Sequence, residues 1–259
     1  MNFVQKAIRG FHVAFLSGPM PDAVGIFMHD LADDKLDSFR WCLEFFRENG
    51  YRFVGPNEYM EGEGKRVFVT FDDNYITWVQ HLDMFDEFGA MATFFTNTCA
   101  LRGETSQSDL DAYYQRLANP VDSTPLTRDE IREIRSRGHI IGNHTHSHFN
   151  VGAIPHEQGC DEVRRCNEML EDILGEPIKH FAYPYGMPRN MTSPLRDFCL
   201  AEGMETVSDA TSGLLKMPNT PRHLRRTQWR TESPHDFNVR SLRADGSLFT
   251  RLTRRSAIG

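Results

Sequence analysis

Residues 67–78 read VFVTFDDNYITW, and in this stretch an apolar run stops abruptly at two adjacent carboxylates, Asp72 and Asp73. The run is short and rich in β-branched and aromatic residues, which is typical of a strand buried on both faces in a parallel sheet. Two like charges side by side repel each other unless solvent or a cation compensates them. The stretch therefore predicts a buried strand that ends either in a solvated turn or in a metal site.

Short apolar runs of this kind alternate along the chain with longer amphipathic segments. The predicted strands cover residues 24–28, 51–54, 66–71, 91–96, 139–143, 179–183 and 204–207. Alternation of strands and helices at short intervals is typical of a parallel sheet with crossover helices. With about seven strands in 259 residues, a closed or nearly closed barrel is favoured, and an open doubly wound sheet is the alternative.

The segments between the strands carry helical spacing and helix-end signals. Three of the predicted helices cover residues 34–50, 75–89 and 156–174. Thr127 and Glu130 form a capping-box pattern that opens another helix, and Ser193 followed by Pro194 predicts an N-cap and a first helical residue. Residues 101–126 interrupt this rhythm, so we predict a long loop with a short helix there, suited to a lid or a substrate wall.

The composition is that of a soluble globular protein. Hydrophobic residues make up 39% and charged residues 25%, and no segment approaches the roughly 18 to 20 apolar residues that span a bilayer. The first residues carry only the short apolar patch FHVAFL, so we see no secretory signal and expect a cytoplasmic protein. Five cysteines without CxxC spacing favour a reducing compartment over a disulfide framework.

Polar and aromatic side chains follow four of the predicted strands. His29 follows the first strand, Asp72 and Asp73 follow the third, HTHSH at 144–148 follows the fifth, and an aromatic-proline turn at 183–186 follows the sixth. In parallel α/β folds the carboxyl ends of the strands gather on one face. We therefore expect these four groups to converge, although they are far apart in the sequence.

The combination of the two aspartates with the histidine-rich turn predicts a metal site. His144 and His148, at positions i and i+4, lie on one side of a turn or short helix, as a chelating pair requires. Two imidazoles and one carboxylate are a common ligand set for catalytic Zn²⁺ that leaves a position open for water. Only one aspartate need bind the metal, and the other can accept a proton from water, whose pKa the metal lowers toward about 7.

Three motifs in this order resemble those of the polysaccharide deacetylases, carbohydrate esterase family four: TFDDN at 70–74, RGHIIGNHTHSH at 137–148 and FAYPYG at 181–186. The resemblance extends over roughly residues 24–226. It implies a distorted (β/α) barrel of about seven parallel strands in a single domain. It also implies one divalent metal ion and the hydrolysis of an acetamido group on a sugar by metal-activated water. Zn²⁺ is the first choice, and nitrogen and oxygen ligands also accept Ni²⁺, Co²⁺ or another dication.

The resemblance implies a role for each matching residue. Asp72 would be the catalytic base, and the metal ligands would be Asp73, His144 and His148. In the third motif, Pro184 and Tyr185 would contact the substrate, with the Tyr185 N–H holding the oxyanion and its ring lining the acetyl pocket. Two further residues of the second motif would act indirectly, Thr145 by steadying the loop and His146 as a neighbouring or groove residue.

Two positions depart from the family pattern. Ala182 stands where the family commonly has an arginine that pairs with the base, and Arg226 is the residue that could replace it. The late LxxH motif that carries the general acid is not evident, since His223 in TPRHLRR does not fit. A permuted subgroup takes this histidine from an early strand ending in an aromatic residue and His. IFMHD fits that position with Met28 in place of the aromatic residue, so His29 is predicted to be the acid.

The domain boundaries follow from the extent of the resemblance and from charge. We predict an N-terminal extension at 1–23, the catalytic barrel at 24–230 and a basic tail at 231–259. The net charge is −7, yet Lys and Arg outnumber Asp and Glu from Arg222 to the end of the chain. The tail could dock on the acidic body, bind an anionic ligand or extend into solvent. No basic-aromatic interleaving favours nucleic acid as a partner.

Two other functions stay open at this point. An amidohydrolase-type metal hydrolase also uses an HxH pair, here His144 and His146, although that pair normally follows the first barrel strand. A metal-retaining sugar-binding homologue that has lost catalysis would suit Ala182 and the missing late histidine. The N-acetylated carbohydrate is itself undefined. Chitin-like oligomers, peptidoglycan, poly-N-acetylglucosamine, lipid-linked glycans and small N-acetyl compounds are all compatible.

Overall fold

The structure, a computed structural model, describes residues 18–117, 124–213 and 222–245 of the chain. In these residues one sheet of nine strands, all paired in parallel, curls into a half-barrel surrounded by helices. The strands are β1 (Ala23–Met28), β2 (Arg52–Phe53), β3 (Arg66–Asp73), β4 (Ala92–Thr96), β5 (Ile140–Asn143), β6 (His180–Ala182), β7 (Thr206–Ser208), β8 (His223–Leu224) and β9 (Thr227–Gln228). Their order is β8-β7-β6-β5-β4-β3-β1-β9, and β2 also pairs with β3. The predicted distorted (β/α) barrel is therefore confirmed.

Helices lie between most of the strands. They are α1 (Leu36–Glu48), α2 (Pro56–Glu61), α3 (Thr77–Gln80), α4 (Leu82–Phe88), α5 (Gln107–Tyr114), α6 (Arg128–Ser136), α7 (His156–Leu174), α8 (Ser193–Ala201) and α9 (His235–Asp245). None of the helices in the described residues combines the length and apolar character that crossing a membrane requires.

The helix ends agree with the sequence at one position and differ at two others. The capping box is confirmed: the Thr127 side chain accepts the Glu130 N–H at 3.3 Å, and the Glu130 carboxylate accepts the Thr127 N–H at 2.7 Å. The predicted N-cap at Ser193 is wrong, because Thr192 keeps extended dihedrals and its hydroxyl accepts the N–H of Leu195. The predicted helix at 75–89 is broken at His81, whose φ of −121° and ψ of 21° lie outside helical values.

Strands β8 and β9 were not predicted. Strands β8 and β9 have two residues each, which is too short to show a strand period in the sequence. They nevertheless extend both ends of the sheet, β8 beside β7 and β9 beside β1. The segment that connects them contains Arg226, so these two strands decide where that side chain enters the barrel.

Strand β3 is the centre of the fold, and every one of its residues is buried. Phe71 on this strand stacks on Phe94 of β4 at 5.1 Å between ring centroids and packs edge-on against Phe39 and Phe85 from helices α1 and α4. Each fully buried Phe side chain stabilises the fold by about 1.5–3 kcal/mol. The apolar residues therefore hold rigidly the strand end at which the two aspartates emerge.

The sequence left open the roles of two segments, the predicted loop at 101–126 and the basic tail at 231–259, and both contact the barrel. Helix α5 lies within the predicted loop at 101–126, of which residues 118–123 are outside the described part. Helix α9 lies in the predicted basic tail, and the ring of His235 stacks on that of Trp41 of α1 at 4.3 Å. The described part of the tail thus docks on the barrel, and residues 1–17 and 246–259 lie outside the described residues. The boundaries at 23 and 230 stay predictions.

Candidate metal centre and catalytic cavity

The carboxyl ends of the strands surround one cavity of about 460 Å³. Its lining includes His29 after β1, Asp72 at the end of β3, His144 and His148 after β5, and Tyr185 after β6. These side chains come from four strands that the sequence separates by up to 156 positions. The convergence expected of a parallel sheet is therefore present at this edge.

Asp73, His144 and His148 form a compact group beside this cavity. The carboxylate oxygen Oδ1 of Asp73 lies 3.2 Å from Nε2 of His148 and 3.5 Å from Nε2 of His144. The ligand atoms of the three residues lie within 4.8 Å of one another, and all three side chains are buried. One carboxylate oxygen and two imidazole nitrogens can thus reach a common cation.

The chemistry of these atoms fits a divalent metal ion. Oδ1 of Asp73 is buried and has no hydrogen-bond donor among the described residues, which is costly for a carboxylate without a cation. Burial alone would raise the pKa of Asp73, but the imidazoles of His148 and His144 outweigh it and lower that pKa well below its usual value. Nδ1–H of His144 donates to the carbonyl of Ala182 at 2.7 Å, which leaves the lone pair on Nε2 for a metal.

Hydrogen bonds within the loop fix the positions of His144 and His148. The hydroxyl of Thr145 accepts the N–H of His148 at 3.1 Å, and the Thr145 N–H donates to Oδ1 of Asn143 at 2.7 Å. The side-chain amide of Asn97, at the end of β4, donates to the carbonyls of His144 and Thr145. Thr145 therefore lies where a residue that steadies this loop would be needed.

Backbone strain is concentrated at the same place. Asp73, Thr145, His148 and Tyr185 have φ between +58° and +83°, and among the described residues only one other non-glycine residue, Arg222, has a positive φ. Such conformations cost of order 1–3 kcal/mol each and persist where the surrounding structure holds them. The strain supports a functional role for this edge of the sheet.

Asp72 forms a buried ion pair with Arg226. The guanidinium donates to Oδ1 of Asp72 at 2.6 Å and to Oδ2 at 3.0 Å, and both residues are almost fully buried. A third hydrogen bond runs from the same guanidinium to the hydroxyl of Thr70, and its Nε donates to the carbonyl of Asp209. Arg226 thus reaches Asp72 from the segment between β8 and β9, whereas Ala182, the position where the family has its arginine, lies on β6.

His29 lies on the cavity wall together with Asp72. Its carbonyl accepts a hydrogen bond from Nε1 of Trp78 at 2.6 Å, and its ring packs edge-on against Phe27 at 5.7 Å. The other histidine that the sequence raised, His223, is absent from this lining and pairs with Asp209 through Nε2 at 2.8 Å. Of the two, only His29 is placed to exchange a proton with a group bound in the cavity.

Tyr185 lies at the mouth of the cavity. Its ring packs edge-on against the ring of His148 at 5.0 Å, and its hydroxyl donates to the carbonyl of Arg116 at 2.6 Å. About 37% of the residue is exposed, enough to contact a ligand. Pro184 is buried in the same turn and is absent from the cavity lining, and its predicted contact with substrate stays a prediction.

Comparison with known proteins decides the family. The model of the polysaccharide deacetylase family matches residues 60–197, more than half of the chain. The chain belongs to the polysaccharide deacetylase family. Within this family it is 28% identical over 159 residues to a peptidoglycan-N-acetylglucosamine deacetylase of Bacillus cereus, covering 60% of this chain and 46% of that protein. It is also 28% identical over 120 residues to a chitin deacetylase of Colletotrichum lindemuthianum, covering 46% and 41% of the two chains. The matched regions span less than half the length of each relative.

Two solved structures illustrate the similarity of fold. IcaB from Ammonifex degensii superposes with a TM-score of 0.66 at 20% identity, covering 88% of this chain and all of that one. The Streptococcus pyogenes deacetylase PplD, in complex with acetate, gives the same TM-score at 16% identity, covering 85% and 97% of the two chains. At these identities the likeness extends to the fold of this family member and no further.

The position of His146 distinguishes two candidate histidine pairs for a metal in this deacetylase family member, His144 with His148 and His144 with His146. Nδ1 of His146 is 2.9 Å from the hydroxyl of Thr98, and its Nε2 accepts a hydrogen bond from Arg165 at 3.0 Å. Burial, helped by the charge of Arg165, lowers the pKa of His146 to about 4. Its ring therefore lies outside the group formed with Asp73, and the HxH pair of an amidohydrolase-type site is not formed.

Sequence reasoning missed two residues that contact the site of this family member. Asn97 follows strand β4, so the rule on carboxyl ends of strands would have found it if applied to that strand as well. Tyr75 donates its hydroxyl hydrogen to Oδ2 of Asp73 at 3.1 Å. No sequence signal distinguishes it from the other buried tyrosines.

Proposed function

We propose that this protein is a metal-dependent hydrolase that removes N-acetyl groups from an acetylated amino sugar, oligosaccharide or polysaccharide. The observation that carries the proposal is the adjacency of two differently paired carboxylates at one strand end. Oδ1 of Asp73 has no hydrogen-bond donor among the described residues and faces two imidazoles, and Asp72 is paired with Arg226 at the cavity wall. Membership of the polysaccharide deacetylase family supports the same reaction.

Asp73, His144 and His148 would hold the cation. A bound divalent cation supplies a Lewis acid that polarises an amide carbonyl and lowers the pKa of water. Zn²⁺ suits two imidazoles and one carboxylate oxygen best, and Ni²⁺ and Co²⁺ are the alternatives. The protein's own contribution is rigid placement, through the strained backbone and the hydrogen bonds of the loop.

Asp72 would act as the general base toward the attacking water. The two hydrogen bonds that it accepts from Arg226 fix the orientation of the carboxylate at the cavity wall, because a bidentate guanidinium contact restricts its rotation. Proton transfer by a positioned group of this kind contributes about 10²–10⁴-fold in rate.

His29 and Tyr185 would complete the reaction on the substrate side. His29, in its protonated form, would donate to the amine of the sugar as the carbon–nitrogen bond breaks. The backbone N–H of Tyr185 would donate to the carbonyl oxygen as its negative charge develops. Both residues line the same cavity as Asp72, so one bound acetamido group can face all three.

The shape of the site favours a carbohydrate chain over a small N-acetyl compound. His29 and Gln228 of the catalytic cavity also line an adjoining cavity of about 410 Å³. The two named relatives are deacetylases of peptidoglycan N-acetylglucosamine and of chitin, which supports a polymeric substrate. An acetamido group in the first cavity leaves room for neighbouring sugar units in the second.

Acetate release tests this function. The metal-free protein is loaded with Zn²⁺, Co²⁺ or Ni²⁺ and incubated with chitin oligomers, poly-N-acetylglucosamine and peptidoglycan fragments. We expect acetate from at least one glycan, lost on adding a chelator and restored by the metal. A metal-loaded protein that binds these glycans and releases no acetate from any of them would indicate the non-catalytic sugar-binding function instead.

A further inference from the structure

The two oxygens of the Asp73 carboxylate have different surroundings. Oδ2 accepts a hydrogen bond from the hydroxyl of Tyr75 at 3.1 Å. Oδ1 has no donor among the described residues and faces Nε2 of both His144 and His148. Asp73 is 4% exposed and Tyr75 is fully buried, so bulk water does not compete for either oxygen.

We propose that Tyr75 is a positioning residue that restricts Asp73 to one coordinating oxygen. The hydroxyl proton occupies Oδ2 and turns Oδ1 toward the imidazoles. For both oxygens to bind a cation, the carboxylate would have to rotate and leave the buried Tyr75 hydroxyl without an acceptor, which is unfavourable. The inference rests on the proposed function only in that the three residues bind a cation.

Packing prevents the Tyr75 ring from following such a rotation. Its ring lies edge-on against that of Trp78 at 6.1 Å and 84°. Trp78 is itself fully buried and is tied through its Nε1 to the carbonyl of His29. Asp73 has a φ of +83°, a strained conformation that gives its side chain a direction set by the backbone. The donor and the acceptor are therefore both held in place.

The consequence concerns which cations the site accepts. With Oδ1 alone, the protein supplies one oxygen and two nitrogen atoms, a set that suits the four-coordinate geometry of Zn²⁺ or Co²⁺ with a position left open. Ca²⁺ takes six to eight oxygen ligands and Mg²⁺ requires an octahedron of them, so both are disfavoured. Tyr75 would thus contribute to metal selectivity without touching the metal.

The test compares Tyr75→Phe with Tyr51→Phe. Tyr51 is the matched control because it is also a buried tyrosine, its hydroxyl donates to the carbonyl of Pro21 at 2.7 Å, and it does not line the catalytic cavity. Metal-free proteins are titrated with Co²⁺, its visible spectrum is recorded, and the Kd for Co²⁺ and Zn²⁺ is measured by competition with a chelator. Tetrahedral Co²⁺ absorbs more strongly in the visible than five- or six-coordinate Co²⁺.

We expect Tyr75→Phe to raise both Kd values about 10–100-fold, the usual effect of losing a residue that orients a ligand. Its Co²⁺ bands should weaken as the released Oδ2 enters the coordination sphere, and Tyr51→Phe should match the wild type in both readouts. A Tyr75→Phe protein with the wild-type spectrum and Kd overturns the proposal.

A second measurement does not depend on the folding of a variant. In a crystal structure of the wild-type protein with Co²⁺, we expect only Oδ1 of Asp73 within bonding distance of the ion, and two bound oxygens overturn the proposal. Neither readout uses acetate release. If Tyr75→Phe changes the Kd and the Co²⁺ spectrum but the wild-type protein releases no acetate, only the proposed function is contradicted. If the wild-type protein releases acetate but Tyr75→Phe changes neither readout, only this inference is contradicted.

Discussion

Arg226 holds both carboxylate oxygens of Asp72, 154 positions away in the sequence, at 2.6 and 3.0 Å. The guanidinium lies over the rings of Phe27 and Phe95, at 5.3 and 5.0 Å from their centroids. Its relative exposure is 1%, so the positive charge depends on Asp72 for compensation. A buried planar cation that lies over aromatic rings and is paired at two points differs from an ordinary surface ion pair, and its loss should affect stability and activity together.

Replacing Arg226 by Lys should lower both kcat and stability although the charge is kept. An ammonium group cannot make the two parallel hydrogen bonds or stack on the rings in the same way. We expect a fall in kcat of about 10–100-fold, which is less than complete loss of the general base would cause. Acetate release and urea unfolding check this. Wild-type kcat in Arg226→Lys would show that the two-point contact has no role in catalysis.

Asp72→Asn should separate catalysis from metal binding. The amide is close in size and can still accept a hydrogen bond from Arg226, but it cannot take up a proton from water. We expect kcat to fall by about 10²–10⁴-fold with the metal content unchanged. The measurements are acetate release and metal analysis on the same sample. Near-normal turnover by a fully loaded Asp72→Asn protein would rule out the base assignment.

His29→Gln tests the proton donor. The amide can form hydrogen bonds but cannot transfer a proton to the departing amine, so kcat should fall by about 10²–10⁴-fold. His223→Gln is the control, since its ring pairs with Asp209 and does not line the catalytic cavity. It should keep kcat within a few-fold of the wild type. A large fall in kcat for His223→Gln, with kcat of His29→Gln near the wild type, would assign the general acid to His223 instead.

His148→Ala should weaken metal binding, and His146→Ala should leave it unchanged. Loss of His148 removes one of the three proposed ligand side chains, whereas His146 contacts Thr98 and Arg165. At a metal concentration of 100 times Kd, binding stabilises a protein by about 2.7 kcal/mol. We expect Zn²⁺ to raise the Tm of His146→Ala as it does that of the wild type, and to leave His148→Ala unaffected. If Zn²⁺ raised the Tm of His148→Ala as much as that of the wild type, His148 would not be a metal ligand.

A buried histidine in the core should make the fold sensitive to acid. Burial lowers the pKa of His139 from 6.5 to about 4. Between these two pH values the unfolded chain binds a proton that the folded protein does not, so the free energy of unfolding falls as the pH falls through this window. The contribution of His139 is at most about 3 kcal/mol, present above the unfolded pKa and lost toward the folded one.

His139→Gln tests this contribution. Nδ1 of His139 accepts the N–H of Ala92, and the glutamine oxygen can replace that acceptor without titrating. The difference in unfolding free energy between neutral pH and about pH 4.5 should be smaller in the variant than in the wild type. Urea unfolding at several pH values measures it. Equal pH dependence in the two proteins would mean that the ring is not buried as a neutral base.

The strands and their order of appearance were predictable because their signals are local. An apolar run that ends at a pair of acids, or at a histidine-rich turn, specifies a buried strand and its carboxyl end without any knowledge of the partner strands. The two-residue strands β8 and β9 carry no such signal, and they form because longer neighbours offer unpaired edges. The N-cap at Thr192 differs from the predicted Ser193 by one residue, since hydroxyl side chains at both positions fit the pattern.

The proximity of the three proposed metal ligands was predictable for a related reason. Asp73, His144 and His148 follow strands whose ends must lie on one face of a parallel sheet, so residue type and position were sufficient to bring them together. His146 lies within the same five residues, and only the path of the loop separates it from His148. Arg226 could be named as a replacement for the arginine absent at Ala182, but no sequence pattern places a side chain 154 residues away on a given carboxylate.

By itself, then, the sequence determined the chemistry that this protein can perform: an acid doublet and an imidazole pair at strand ends, in a parallel α/β barrel. Only the tertiary structure decided how those groups are paired. It directs one oxygen of Asp73 to the histidines and the other to Tyr75, and it places Arg226 over two aromatic rings beside Asp72. The physical reason is that strand and turn preferences act between near neighbours, whereas these pairings depend on sheet register and on packing between segments far apart in the chain.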